Sequence, residues 1–225
     1  MSSAMLSTLL VTVWAGEVPY DRALRWQEQL VTARQEDRMD DVLLLLTHPP
    51  VYTAGHHADL GANLTGARPD IPVVPIDRGG DLTYHGPGQV VAYPIMRLPQ
   101  RGASKAYVTA LEQGIIDTVA TYGVTADRRP GHPGVWVEGR DKIAAIGVRV
   151  TRGVSKHGVA LNVDPDMADY DGIIPCGITD GGITSLARLG VRTDVDDVRT
   201  RLGAGLARAL HRVPQPASTA DLGLQ

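Results

Sequence analysis

The chain has 225 residues, 43% of them hydrophobic and 21% charged, which is typical of one globular domain with a sizeable core. Its formal net charge of −3 predicts no general attraction to nucleic acid or to an anionic membrane. No apolar run reaches the roughly 18 residues that a membrane-spanning helix needs, and the single cysteine excludes an internal disulfide and favours a reducing, cytoplasmic setting.

The first elements in chain order are a strand, a helix and a second strand. Residues 6–13 are apolar but no Lys or Arg precedes Arg22, so we interpret them as a strand rather than a signal peptide. Pro19 suits the first turn of a helix that runs to about Arg38. The continuous apolar run at 41–46 is typical of a strand buried on both faces. Residues 55–70 are rich in Gly, Asn, Asp and Pro, which predicts an exposed loop.

The rest of the chain predicts more strands than helices. Strands are expected over 73–76, 90–96, 135–137, 143–150 and 158–163, with a hairpin turn at 138–141. Ser104 is predicted to cap a helix over 105–122 that Gly123 ends, and a last helix follows Thr193. We therefore predict one domain over 1–213 and, from its Pro, Ser and Thr content, a disordered tail over 214–225. The fold class is α+β, with a mixed, largely antiparallel sheet and helices packed on one side.

The segment 78–89, Arg-Gly-Gly-Asp-Leu-Thr-Tyr-His-Gly-Pro-Gly-Gln, joins two of these strands. Its glycines either serve turn geometry or let the backbone approach a ligand. It fits neither G-x-x-x-x-G-K-[ST] nor G-x-G-x-x-G, and neither pattern occurs elsewhere in the chain. The sequence therefore gives no support for nucleotide binding, and no cofactor is predicted.

Lys142 and Cys176 are the candidate reactive residues. Only three of the 22 basic residues are lysines, namely Lys105, Lys142 and Lys156. Lys142 enters an apolar strand, where it either extends its amine to solvent or is buried and exchanges a proton with a nucleophile. Cys176 is either an inert buried thiol or a nucleophile whose thiolate a neighbouring amine favours. The residues by themselves leave both alternatives open.

The seven histidines show no metal-ligand spacing, so no metal site is predicted. His56 and His57 lie in the predicted loop and are expected to be solvated. His85 is expected to orient the substrate or a tetrahedral intermediate.

The glycine-rich segment resembles the signature of the lipoyl(octanoyl) transferase family, Arg-Gly-Gly-x-x-Thr-aromatic-His-x-x-Gly-Gln-x-x-x-Tyr. The matched positions are Arg78, Gly79, Gly80, Thr83, Tyr84, His85, Gly88, Gln89 and Tyr93. The resemblance continues through 142–147, 157–162 and 175–177, and covers about 43–189. It implies the catalytic-domain fold of biotin and lipoate protein ligases.

The resemblance also implies an activity and a set of site residues. Members of this family move an octanoyl group from octanoyl-acyl carrier protein to a lysine of a lipoyl domain through an acyl-cysteine thioester, without ATP. The acceptors are lipoyl domains of 2-oxoacid dehydrogenase E2 subunits and the glycine cleavage H protein. Cys176 would accept the acyl group and Lys142 would activate it. The implied substrate-binding residues are Arg78, Gly79, Gly80, Asp81, Leu82, Thr83, Tyr84, His85, Ala145, Ile146, Gly147, Gly158, Val159 and Ala160.

Further expectations accompany this assignment. Backbone N–H groups near Gly147, with Gly79 and Gly80 or His85, would form an oxyanion hole. A local excess of basic residues would dock the acidic partners or form an ordinary solvated face; it comprises Arg128, Arg129, Arg149, Arg152 and Lys156. Two alternatives remain: an ATP-dependent lipoate or biotin ligase of the same fold, and a non-catalytic module that binds acyl carrier protein or lipoyl domains.

Overall fold

The computed structural model describes residues 8–99, 102–174 and 181–225, which form a mixed sheet with helices on both faces. The strands are β1 (Leu9–Glu17), β2 (Asp41–Thr47), β3 (Val51–Ala54), β4 (Val73–Pro75), β5 (Leu82–His85), β6 (Gln89–Ile95), β7 (Ala126–Arg129), β8 (His132–Val137), β9 (Asp141–Thr151), β10 (Val154–Asn162), β11 (Gly182–Ile183) and β12 (Val213–Ala217). The helices are α1 (Tyr20–Gln35), α2 (Leu60–Asn63), α3 (Ser104–Ala120) and α4 (Val195–Ala209).

Two sheets form within the described residues. The larger follows the order β12-β1-β2-β6-β10-β9-β8-β7, with β11 added beside β9, and the smaller follows β4-β3-β5. Strand β1 is parallel to both of its neighbours, β12 and β2. The other neighbouring pairs in this order, from β2–β6 to β8–β7, are antiparallel. The predicted α+β class with a mixed, largely antiparallel sheet is confirmed. Strands β3 and β5 were not predicted, because four-residue strands among glycines and prolines carry little periodic signal.

Helices cover both faces of the larger sheet, so the prediction of helices on one side is wrong. In β2, Leu43 and Leu45 pack in a core with α3 and α4. Val42, Leu44 and Leu46 of the same strand point the other way and pack in a second core with α1. Alternate side chains of a strand face opposite sides of its sheet, so the continuous apolar run of β2 requires cover on both.

The predicted disordered tail is also wrong. Residues 213–217 form β12, which pairs with β1 in parallel register from Leu9 onward. Leu224 is 4% exposed, and the Trp26 indole donates a hydrogen bond to the Gln225 carbonyl at 2.9 Å. The prolines of this segment suggested disorder, but prolines are tolerated in an edge strand. Composition alone does not reveal that β1 offers the segment an edge to pair with.

The helix termini and the hairpin were predicted with mixed success. The hairpin turn is confirmed: Glu138 and Gly139 have φ of 52° and 67°, and the Arg140 amide donates to the Val137 carbonyl at 3.1 Å, as in a type I′ turn. The Ser104 cap is wrong, because Ser104 is already helical and Ala103 precedes it without a side-chain cap. Among the described residues, no helix is long and apolar enough to cross a membrane.

A buried carboxylate joins the start of β2 to three other segments. Asp41 is fully buried and accepts hydrogen bonds from the Arg34 side chain at 2.8 Å, the Arg212 side chain at 3.0 Å and the Arg97 amide at 3.0 Å. These contacts fix the end of α1, the end of β6 and the approach to β12 against one another.

Candidate active site

Lys142 is buried on β9, with 4% of its surface exposed. Its Nζ lies 4.7 Å from the centre of the Trp136 ring, close enough for a cation–π contact. Gly134 of β8 makes room for this side chain: an added Cβ would lie 2.7 Å from the Ala144 carbonyl oxygen and 3.4 Å from Lys142 Cε. Gly134 also has φ of +132°, which disfavours other residues. The alternative in which Lys142 extends its amine to solvent is therefore wrong.

Two cavities meet at Lys142. The first, which we call the wide cavity, has a volume of about 440 Å³ and is lined by Lys142, His57, Asp81 and His132, among others. The second, the side cavity, has a volume of about 230 Å³ and is lined by Trp136, Tyr170 and Arg188 together with Lys142. Lys142 thus borders two spaces large enough to hold part of a substrate.

A third cavity, the narrow cavity, adjoins the wide one. Water-sized molecules can place their centres in only about 40 Å³ of it, so it is a tight space. Its lining includes most of the predicted substrate-binding residues: Arg78, Gly80, Thr83, His85, Ala145, Ile146, Gly147, Gly158, Val159 and Ala160. Gly80, Ile146 and Gly147 also line the wide cavity, as do Gly79 and Asp81. The structure therefore brings these predicted residues together around two connected spaces.

Small residues form the floor of the narrow cavity. Gly147 pairs with Gly158 across β9 and β10, and Ala145 pairs with Ala160. These four lie on one face because side chains alternate along a strand, and Ala160 belongs to the core on the α1 side. Gly147 makes room for the Arg78 side chain and Gly158 for the Ala92 carbonyl of β6, since an added Cβ would collide with each.

Leu82 and Tyr84 do not share this location. They lie on the opposite face of β5 from Thr83 and His85, in a separate buried cluster with Tyr52. The Tyr84 hydroxyl donates to the Asp169 carboxylate. These two predicted substrate-binding residues pack the smaller sheet and do not line the described cavities.

Residues outside the predicted set also line the narrow cavity, namely Tyr20, Tyr93 and His157. Tyr93 is the last position of the matched motif and could have been included on that basis. Tyr20 begins α1 and resembles an ordinary core aromatic on a helical stripe, so the sequence carries no signal for its role.

Three buried histidines lie at the narrow cavity or beside it: His85 and His157 line it, and the His48 ring centre is 5.7 Å from that of His85. Burial lowers the pKa of His48 and of His157 to about 4, and it also lowers the pKa of His85 well below the usual range. His48 bridges the Val18 carbonyl at 2.6 Å and the Tyr93 hydroxyl at 2.8 Å. The Tyr20 and His85 rings stack with centroids 6.2 Å apart. These imidazoles are neutral at pH 7.

A carboxylate holds the glycine-rich segment against the sheet. Asp77 contacts His157 Nε2 and Lys156 Nζ of β10, each at 2.9 Å. Two residues on, the Gly79 amide donates to the Val148 carbonyl at 3.1 Å. Since that N–H group is already bonded, Gly79 is not available as the oxyanion donor that the sequence predicted. His85 faces the narrow cavity and is not among the residues that line the wide cavity with Lys142.

Cys176 lies outside the described residues, but the segments on either side of it are described. Two residues before it, the Ile174 amide donates to the Asn63 carbonyl at 2.8 Å. The Asn63 side chain donates in turn to Asp81 of the wide cavity. After it, β11 pairs with the start of β9, and the Thr184 amide donates to the Lys142 carbonyl at 3.0 Å. Both flanking segments therefore lie beside the Lys142 site.

The predicted basic docking patch is partly neutralised. Arg128 forms an ion pair with Glu112 at 3.1 Å, and Lys156 forms the ion pair with Asp77. The Arg129 guanidinium lies 4.9 Å from the centre of the Trp136 ring. Docking of acidic partners on this surface stays a prediction.

The lining of these cavities offers little to a metal ion: across 8–99, 102–174 and 181–225, no three His, Cys, Asp or Glu side chains are grouped so that they could hold one. The site is instead a buried amine beside the wide and side cavities, with the narrow cavity adjoining the wide one.

Comparison with solved structures identifies the fold. The chain superposes on a bi-partite lipoate protein ligase from Thermoplasma acidophilum with a TM-score of 0.72 at 16% identity, covering 93% of this chain and 87% of that one. It also superposes on a biotin protein ligase from Aquifex aeolicus with a TM-score of 0.56 at 14% identity, covering 89% and 70%. The expected likeness to biotin and lipoate ligase catalytic domains is confirmed.

Sequence comparison identifies the family. The model of the lipoyl protein ligase A/B catalytic domain matches residues 19–207. An octanoyltransferase from Solibacter usitatus is 48% identical over 198 residues, which make up 86% of this chain and 89% of the relative. The chain therefore belongs to the lipoyl protein ligase A/B catalytic domain family, among its octanoyltransferases.

Proposed function

We propose that this protein transfers an octanoyl group from octanoyl-acyl carrier protein to a lysine of a lipoyl domain, through a thioester on Cys176. The observation that carries this proposal is Lys142, which is buried against the Trp136 ring and lines the wide cavity beside the narrow one. The relatives named octanoyltransferase support the acyl group. The Thermoplasma ligase, described together with its E2 lipoyl domain, supports the acceptor.

In the first half-reaction, Lys142 takes the proton of the Cys176 thiol. The thiolate attacks the octanoyl thioester carbonyl, and the carbon–sulfur bond to the carrier's phosphopantetheine breaks. Lys142 returns its proton to the departing thiolate, so no net proton is gained or lost. The Trp136 ring stabilises the ammonium that exists between these two transfers.

In the second half-reaction, the acceptor lysine amine attacks the octanoyl-cysteine. An amide bond forms, the carbon–sulfur bond to Cys176 breaks, and a proton from the amine restores the thiol. Exchange between thioesters is nearly balanced in free energy, whereas conversion of a thioester to an amide is downhill. The two half-reactions therefore need no ATP, and no bound cofactor is invoked. The expected acceptors are E2 lipoyl domains and the glycine cleavage H protein.

Intact-mass measurement after incubation with octanoyl-acyl carrier protein tests the covalent step. The protein should gain one octanoyl group, and Cys176→Ser should gain no thioester-linked group and should not transfer. Lys142→Ala should lose most of the acylation rate near neutral pH. Lys105→Ala is the matched control, because Lys105 is exposed at the start of α3, and it should acylate normally.

Two results would contradict the proposal. Transfer that requires free octanoate and ATP, with none from the carrier-bound thioester, would identify an ATP-dependent ligase. Binding to acyl carrier protein or lipoyl domains that survives Cys176→Ala, without any acyl transfer by the wild-type protein, would identify a non-catalytic binding module.

A further inference from the structure

Lys142 belongs to two cavities whose linings are otherwise separate. Among the described residues, it is the one that lines both the wide cavity and the side cavity. Two neighbouring rings of β8 lie on either side of this division: His132 lines the wide cavity, Trp136 lines the side cavity, and their ring centres are 6.2 Å apart. Two different spaces therefore border the same lysine.

The predicted substrate-binding residues lie on one side of this division. Gly80, Ile146 and Gly147 line the wide and narrow cavities together. Within the described parts of the chain, none of the predicted substrate-binding residues lines the side cavity. When the acyl group lies among those residues, as the proposed function requires, the side cavity is left without an assigned ligand.

The lining of the side cavity combines apolar walls with two exposed charges. Trp136, Met167 and Ile183 supply apolar surface. Asp171 and Arg188 also line the cavity and are exposed, so the cavity reaches the surface beside them. Neither of these two side chains forms an ion pair with another described residue. Both charges are therefore available to a molecule that enters from solvent.

We propose that the side cavity admits the acceptor lysine, so that the two substrates approach Lys142 through different spaces. The acyl carrier's arm would use the wide cavity and the lysine of the lipoyl domain would use the side cavity. The inference rests on the proposed function. A volume of about 230 Å³ holds one lysine side chain, since a water molecule fills about 30 Å³ of the liquid. The methylene stem of that lysine packs against Met167 and Ile183.

Asp171 and Arg188 complement an acidic domain that presents a lysine. A free lysine is charged at pH 7 because its pKa is about 10.4, so Asp171 attracts its ammonium group at the surface. Arg188 attracts the carboxylates around that lysine. Burial among apolar groups then disfavours the ammonium, which leaves one proton with the solvent and enters as the neutral amine. The amine attacks the octanoyl thioester as in the second half-reaction, so each transfer releases one proton.

The experiment measures the two half-reactions separately by intact mass. The first is octanoylation of the protein by octanoyl-acyl carrier protein, and the second is transfer from the isolated octanoyl-protein to an E2 lipoyl domain. Met167→Trp fills the side cavity and should slow the second half-reaction by about 10-fold or more, while the first keeps its wild-type rate. Val108→Trp narrows the wide cavity and should slow the first half-reaction instead.

A reversal of charge at the surface tests the same site without filling it. Arg188→Glu should raise the lipoyl-domain concentration needed for half-maximal transfer by about 10-fold. Hydroxylamine, a small nucleophile that cleaves thioesters, should still deacylate this variant at the wild-type rate. Arg192→Glu is the matched control, because Arg192 is exposed four residues further on and lines none of the described cavities. It should transfer normally.

Three outcomes would overturn the proposal. Slower octanoylation with normal transfer in Met167→Trp and Arg188→Glu would assign the side cavity to the carrier's arm. Normal rates in both half-reactions would show that neither substrate uses it, and equal slowing of both would indicate a general disturbance of Lys142. If Met167→Trp does not fold, Arg188→Glu decides, because Arg188 is exposed. Failure of the proposed function gives a different result, namely no octanoyl adduct on the wild-type protein.

Discussion

Replacing His48 by glutamine should remove part of the acid sensitivity of this fold. His48 is fully buried, and burial lowers its pKa from 6.5 to about 4. Between those two pH values the unfolded chain binds a proton at this residue and the folded chain does not. Stability is therefore lost as the pH falls from 6.5 toward 4. Glutamine can still donate to the Val18 carbonyl and accept from Tyr93, but it does not titrate.

The magnitude follows from the two pKa values. Between pH 7 and pH 5, one histidine with a folded pKa near 4 reduces the free energy of unfolding by about 2 kcal/mol. His157 shows the same shift, to about 4, and burial also lowers the pKa of His85 well below its usual range. The wild-type protein should therefore lose about 4 kcal/mol or more over this range. His48→Gln should lose about 2 kcal/mol less than the wild type.

Urea unfolding at pH 7 and pH 5, at constant ionic strength, measures this difference. His211→Gln is the control, because His211 is exposed at the end of α4, and it should follow the wild-type curve. Proton resonances of the His48 ring give its folded pKa independently. The reasoning is refuted if His48→Gln loses as much stability on acidification as the wild-type protein does.

Three other changes test the packing on which the site depends. Gly134→Ala forces a Cβ against the β9 backbone beside Lys142, so it should lower both the free energy of unfolding and the acylation rate measured by intact mass. A normal acylation rate would refute the idea that this glycine makes room for Lys142. Asp41→Asn leaves its arginine partners buried without a full counter-charge and should cost about 3–5 kcal/mol in urea unfolding; a loss below 1 kcal/mol would count against that contact. Deletion of 213–225 exposes the edge of β1 and the Trp26 pocket and should lower the melting temperature, whereas an unchanged value would mean that β12 adds nothing.

Local signals predicted most of the larger elements correctly. The apolar run of β2 indicated a strand buried on both faces, and Glu138-Gly139 indicated the hairpin turn, since both depend on adjacent residues alone. The smaller sheet was missed because β3 and β5 are each stabilised by the other. The C-terminal strand was missed for the same reason: a Pro-containing segment becomes a strand only when β1 provides an edge.

The candidate site was likewise predicted in part from the sequence and decided in part by tertiary structure alone. The sequence by itself determined the family motif, the rarity of Lys142 among the basic residues and the absence of a nucleotide loop, because these are properties of residue identity and spacing. Tertiary structure alone decided that Lys142 is buried against Trp136, that the Gly79 amide is already bonded, that Leu82 and Tyr84 face away from the narrow cavity, and that Tyr20 lines it. The physical reason is that cavity walls and burial arise from segments distant in the chain, and no local pattern records which of them meet.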